Sequence, residues 1–192
     1  MTGTQERLLN TAKELFWKYG LKRVTVEEIC QEAGVSKMTF YRNYPNKLAI
    51  ARDLLEQVYA SGRQDMVEIF NSDQSFIEKM EAIIQLKIHY SESISVELIQ
   101  DIFSYEDAEF QSYVRQQAEE QSRLVLDFFR EAQRSGAIRP DLKLEIIPLL
   151  SEHLLGLSEN KRFMEFYDSP AELVKEITTF FFFGITSRPK QS

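Results

Sequence analysis

Thr25-Val-Glu-Glu-Ile-Cys-Gln-Glu-Ala-Gly-Val-Ser-Lys-Met-Thr-Phe-Tyr-Arg-Asn-Tyr-Pro-Asn-Lys47 is the stretch whose reading decides the fold. Thr25 and Glu28 form a capping box, in which the Thr25 hydroxyl accepts from the Glu28 amide while the Glu28 carboxylate reaches back. A helix therefore starts at Val26, with Val26, Ile29, Cys30 and Ala33 as its apolar face, and Gly34 supplies the left-handed stop. Ser36 caps the next helix. Two short helices joined through Ala33-Gly34-Val35-Ser36 make a helix-turn-helix, since glycine permits the sharp turn and alanine the close approach. Val35 and Phe40 anchor the second of these helices, so Lys37, Met38 and Tyr41 project outward, toward a major groove. Lys37 can donate to base edges or phosphate, and Met38 can touch thymine methyl groups. Asn46 caps a further helix, whose N-terminus together with the Lys47 ammonium makes a site for a backbone phosphate.

Upstream, Leu8, Ala12, Leu15, Phe16 and Tyr19 recur on one helical face, and Gly20 ends that helix. The whole chain has 192 residues and a net charge of −7, which by itself disfavours a polyanionic partner. The distribution reverses that inference. Up to Ile50 there are eight Lys+Arg against five Asp+Glu, a charge of +3, which leaves −10 for the remainder. A basic head precedes an acidic body. With 43% hydrophobic residues but only 7 Gly and 5 Pro, the composition suits an all-α globular chain. The single cysteine, Cys30, excludes an intramolecular disulfide and a cysteine-based zinc cage, and reads as a small buried hydrophobe. No stretch reads as a signal peptide or a membrane span, so the expected location is cytoplasmic, with no membrane partner.

The run from Thr25 to Lys47 resembles the DNA-binding head of the TetR (tetracycline-repressor) family, whose pattern is Gly-Val-Ser-x-Gly-Thr-Leu-Tyr-x-His-Phe-x-x-Lys. Gly34, Val35, Ser36, Thr39, Tyr41 and Lys47 match outright, while Phe40 and Tyr44 replace Leu and Phe. The resemblance implies phosphate contacts from Thr25, Thr39, Tyr41 and Lys47, and base contacts from Lys37, Met38 and Tyr41. Ser36 and Asn43 complete the expected DNA-binding set. Met38 stands where glycine is common, which bears on base preference, and Asn43 replaces histidine, which keeps hydrogen bonding but loses the option of a positive charge.

The expected boundary divides residues 1–46, a three-helix DNA-binding domain, from residues 47–192, a helical effector-binding and dimerisation domain. Helical patterns begin at Lys47 and after the Ser75–Glu78 capping box, and run over Val96–Phe103 and Ala108–Arg134. Gly136–Asp141 then breaks the pattern, and such a Gly-x-x-Arg-Pro-Asp segment also resembles the family. On the Phe110 to Phe128 stripe, Gln117 and Gln121 occupy apolar positions. Either an interhelix hydrogen bond satisfies them, or they line an effector cavity with Tyr90, Phe103, Tyr105, Phe110, Tyr113 and Phe128. Residues 142–157 carry too many apolar positions for one helix face, and Phe180, Phe181, Phe182 and Phe183 spread over roughly 300° of a helix. A buried central helix would explain this; so would a dimer interface including Leu150, Leu154, Leu157 and the four phenylalanines, which the resemblance favours.

His89 and His153 lack a Glu-x-x-His partner, so no metal or other cofactor is expected. No nucleophile or phosphate-loop motif points to catalysis. The expectation is a DNA-binding transcriptional regulator and not an enzyme: a homodimeric repressor released from its double-stranded operator by an unknown small, mainly apolar effector. The alternatives are a regulator of this fold without a small-molecule ligand, or a small-molecule enzyme or carrier.

Overall fold

The computed structural model describes residues 3–92, 94–147, 149–150, 166–167, 172, 176, 179–181 and 184–186. Among the described residues these helices are bounded, in chain order: α1 (Gly3–Tyr19), α2 (Val26–Glu32), α3 (Lys37–Asn43), α4 (Lys47–Asn71), α5 (Phe76–Glu92), α6 (Val96–Ser104) and α7 (Ala108–Arg134). Among the described residues the one extended pairing is an isolated antiparallel bridge between Ile138 and Thr186. The fold is all-α, as the sequence implies.

Local chemistry sets the helix ends. The Gly20 amide donates to the Phe16 carbonyl at 2.9 Å, and the φ of +83° at Gly20 turns the chain out of α1. The Thr25 amide donates to Glu28 Oε2 at 2.8 Å and the Glu28 amide donates to Thr25 Oγ1 at 3.2 Å, so the capping box is formed in full. That box, through the Thr25 amide above all, holds the Glu28 carboxyl below the usual carboxylate range. Gly34, with φ of +63°, ends α2 while the Val35 amide reaches back to the Cys30 carbonyl at 3.0 Å. Ser36 and Asn46 then accept from the amides of Thr39 and Ala49 at 3.1 and 2.8 Å, starting α3 and α4.

The chain divides into two compact units, Met1–Asp65 with His89–Ala118, and Met66–Ile88 with Glu119–Ser192. This is a division of packing, whereas the expected 46/47 boundary was drawn at the end of the helix-turn-helix pattern. In the first unit Leu8, Phe16, Leu21, Val24, Ile29, Phe40 and Ile50 are fully buried in one cluster, to which α6 and α7 add Leu98, Ile102, Phe110, Tyr113 and Val114. Burying side chains of this size stabilises by about 1.5–3 kcal/mol each.

In the second unit Met80, Ile83, Phe129, Ala132, Ile138, Leu144, Ile147 and Ile185 form the core. Phe128 stacks on Phe70 with centroids 4.0 Å apart and lies 5.9 Å from Phe76. Gly136, at φ of +81°, ends α7, and the Arg139 amide donates to the Ile185 carbonyl at 3.1 Å, tying the Gly136–Asp141 segment to the C-terminal part of the chain.

Of the expected dimer-interface residues, Leu150 and Phe180 are exposed, Phe180 to 83%, while Phe181 is half-buried and packs against the second core. Leu154, Leu157, Phe182 and Phe183 lie outside the described residues.

Gly20 carries a double constraint. A Cβ there would sit 2.7 Å from Asp101 Oδ2 and 3.2 Å from the Glu97 Cβ, besides requiring a left-handed residue. At Gly34 a Cβ would meet nothing within 4 Å. Gly20→Ala should therefore lower stability by about 1–3 kcal/mol and by more than Gly34→Ala, measured by urea unfolding of the two variants.

Candidate nucleic-acid interface

The second helix of the helix-turn-helix, α3, is held from below. Phe40 is fully buried, and its ring meets that of Tyr44 at 6.1 Å. Tyr44 is itself buried and its hydroxyl donates to Asp53 Oδ2 on α4 at 2.8 Å; burial, reinforced by this bond, pushes the Tyr44 phenol up to about 12. With that side fixed, Met38 stands 73% and Tyr41 54% exposed. Lys37 is exposed too, and its ammonium pairs with Glu27 Oε1 on α2. The bond to Lys37 holds the Glu27 carboxyl low, and the same bond raises the Lys37 ammonium.

The remaining expected DNA contacts are occupied locally. Thr25 Oγ1 donates to Glu28 Oε2 at 2.9 Å, the Ser36 and Thr39 hydroxyls lie 2.9 Å apart, and Asn43 Nδ2 donates to the Thr39 carbonyl at 2.8 Å. Thr25 and Ser36 are exposed, Thr39 and Asn43 half-buried. Lys47 differs more from the reading of its type. Its ammonium points inward and donates to the carbonyls of Leu21, Lys22 and Val24 at 2.6, 3.2 and 2.7 Å. An ammonium has three protons, so all are engaged, and burial lowers its pKa despite the charges of Asp101 and Glu28. Lys47 thus organises the α1–α2 loop, and a direct phosphate bond would require it to release a carbonyl.

The same loop is gripped from α6. The Lys22 amide donates to Asp101 Oδ2 at 2.7 Å, Lys22 Nζ donates to Ser104 Oγ at 2.9 Å, and the Ser95 amide donates to the Trp17 carbonyl at 3.0 Å.

The expected effector residues are divided between the two units. Tyr90, Phe103, Tyr105, Phe110, Tyr113 and Gln117 fall in the first unit, Gln121 and Phe128 in the second. Phe110 and Tyr113 belong to the first core, Tyr105 packs on Phe110 at 5.8 Å, and Phe103 is 66% exposed. The Tyr90 hydroxyl bonds to Ser61 Oγ and Asp65 Oδ2 on α4, at 3.0 and 2.6 Å. Gln117 is buried, but Arg63 Nη1 donates to its Oε1 at 2.6 Å; this interhelix bond removes the argument that its amide needs a ligand. Gln121 is different: it is half-buried, and its amide donates to the Met66 sulfur, a weak acceptor. Cys30 is buried, and that burial pushes its thiol up. His89 is exposed beside the Tyr90 ring, and His153 lies outside the described residues.

Residues 8–54 match the family model of the bacterial regulatory proteins, tetR family. YvkB of Bacillus subtilis (strain 168), an uncharacterized HTH-type transcriptional regulator, is 26% identical over 161 residues, which cover 81% of this chain and 82% of that protein. The HTH-type transcriptional repressor KstR2 of Mycolicibacterium smegmatis is 24% identical over 153 residues, 74% of this chain and 71% of that protein. Among solved structures, the reduced form of E. coli NemR aligns with a TM-score of 0.78 at 19% identity, covering 98% of this chain and 100% of that one. FadR from Bacillus subtilis, solved in complex with stearoyl-CoA, aligns with a TM-score of 0.75 at 17% identity, covering 94% and 98%. At such identities the structures speak for the fold alone.

A capped helix-turn-helix of this form, at the head of an all-helical chain, defines the class of helix-turn-helix transcriptional regulators. Within that class the chain carries the DNA-binding domain of the tetR family over residues 8–54. Among the described residues no helix is long and apolar enough to cross a membrane.

Replacing Lys47 with Met keeps its apolar stem but leaves three loop carbonyls without their donor. Lys47→Met should cost about 2 kcal/mol of stability in urea unfolding. A variant of unchanged stability, with a salt dependence of DNA binding weakened by one phosphate contact, would assign the ammonium to DNA instead.

Proposed function

We propose that the protein is a homodimeric, cytoplasmic repressor that binds a near-palindromic operator and is released from it by a small effector. The observation that carries the DNA-binding half is the outer face of α3, where Lys37, Met38 and Tyr41 are exposed while Phe40 locks the opposite side into the core. Lys37 and Met38 read bases; Thr25, Ser36, Thr39, Tyr41 and Asn43 position the helix on phosphates. Lys47 acts mainly through the loop it holds. Two such helices in a dimer would enter successive major grooves about 34 Å apart.

The effector half rests on α6. Its three hydrogen bonds to the end of α1 and the following loop fasten α6 to the head, so a ligand that favours another setting of α6 would displace α3 from its groove. Tyr90, Tyr105, Phe110, Tyr113 and Gln117 already have partners within the protein. Of the rest, Phe103 is exposed in the first unit, while Gln121 and Phe128 lie in the second, with Gln121 as the polar handle. That FadR of similar fold holds stearoyl-CoA supports a body able to receive an acyl-sized ligand. The exposed Ile146, Leu149, Leu150 and Phe180 support burial against a second copy.

Two measurements test this reading. In fluorescence anisotropy with a footprinted operator, Lys37→Ala and Met38→Gly should change sequence preference. Glu27→Gln, which frees Lys37, should tighten binding by about two- to fivefold at low salt. Unchanged binding in all three variants would remove α3 as the reading helix. In sedimentation, the wild type should be a dimer at micromolar concentration. Phe180→Glu should shift it toward monomer and weaken operator binding at least tenfold; a wild-type monomer contradicts the proposal.

A further inference from the structure

We infer that Glu27 and Lys37 read one base pair together, with the Lys37 ammonium on a guanine and the Glu27 carboxylate on the amino group of the cytosine paired with it. The inference rests on the DNA-binding reading above and adds to it a reading residue on α2 and the identity and direction of one base pair.

Glu27 stands outside the expected set of DNA contacts because an acid is out of keeping with a basic head. DNA is a polyanion, so a carboxylate beside α3 weakens every encounter unless it gains something there. Folding does not call for it. Thr25 and Glu28 cap α2 between them, the Glu28 carboxylate accepting from the Thr25 amide, and the Glu27 carboxylate pairs across to Lys37 on α3. The Glu27 and Lys37 side chains are 61% and 54% exposed, and an ion pair so open to water adds little stability.

Position gives the carboxylate a use. Lys37 is the first residue of α3 and Glu27 lies in the first turn of α2. The N-terminal residues of the second helix in a helix-turn-helix are those that meet base edges, so a carboxylate touching the Lys37 ammonium is within a hydrogen bond of the edge that Lys37 meets. The pair offers donor and acceptor side by side. An ammonium has three protons, and with one on Glu27 two are left; the carboxylate likewise keeps lone pairs to spare. In the major groove a G·C pair presents the reciprocal pattern: guanine N7 and O6, two adjacent acceptors, and then the N4 amino donor of cytosine. Reversal to C·G sets the carboxylate against guanine N7 and O6 and the ammonium against a donor. An A·T pair in either direction holds its one donor, adenine N6, between two acceptors, so the carboxylate meets an acceptor beside any donor it takes.

The test selects bound duplexes from a library with randomised half-sites, using the full chain and its variants, and measures affinities for the selected duplexes by fluorescence anisotropy. At one position in each half-site the wild type should favour G·C, in a fixed direction relative to the operator's centre, by about tenfold over A·T and about fiftyfold over C·G. Glu27→Ala should cut the discrimination against C·G at least fivefold and leave other positions unchanged. Glu27→Gln should admit adenine opposite position 27, since an amide bonds both N6 and N7. The double exchange Glu27→Lys with Lys37→Glu keeps the ion pair and reverses its polarity, so the preference should turn to C·G. Circular dichroism of each variant separates a lost fold from a lost preference. Unaltered base preference in Glu27→Ala overturns the inference, as does a double exchange that folds and still selects G·C; sequence-selective binding by the wild type in either case leaves the DNA-binding reading standing. A wild type that selects no sequence overturns both.

Discussion

The backbone between α1 and α2 is the point on which the head depends. Five residues, Gly20 to Val24, must turn the chain and deliver Thr25 to its capping position, and a turn of this kind leaves polar groups that regular structure cannot satisfy. Lys47 from α4 satisfies three carbonyls, and Asp101 from α6 satisfies the Lys22 amide. Leu21 and Val24, each 1% exposed, point the same loop into the core. The placement of α2, and through it of α3, follows from a loop clasped by two distant helices. Gly20 is required at this place because Asp101 comes too near for any side chain.

The charge arrangement acts in the same direction. The one cation on the exposed face of α3 that shares an ion pair is Lys37, and its partner Glu27 sits on the preceding helix, so in the proposed function DNA would compete with a carboxylate already in place. Exposed pairs of this kind contribute little to folding. In the proposed function their effect would fall on binding, where each nonspecific encounter would have to displace the carboxylate without the compensation of matched base contacts.

What could be read from the residues alone was local. The capping boxes at Thr25 and Ser75, the glycine stops and the helix limits depend on groups three to six residues apart, and sequence displays those directly. The partners that decide the fate of polar side chains lie far off in the chain: Arg63 and Gln117 are 54 residues apart, and Lys22 and Asp101 are 79. Nothing in the pattern around Gln117 names Arg63, so a structural glutamine and a ligand-binding one look alike until the helices are packed. Lys47 shows the same limit, since a lysine at a helix start fits a phosphate equally well until the loop carbonyls are seen beside it.

The buried thiol of Cys30 has a consequence for how the head can be observed. It is the chain's only cysteine, it lies on the face of α2 that packs into the first core, and burial together with the Glu27 charge keeps it protonated. A thiol in that state reacts with an alkylating reagent when α2 lifts from the core, so the labelling rate counts openings of the helix-turn-helix. The protein thus carries a natural clock for the motion of its DNA-reading head, with no second sulfhydryl to confuse the reading.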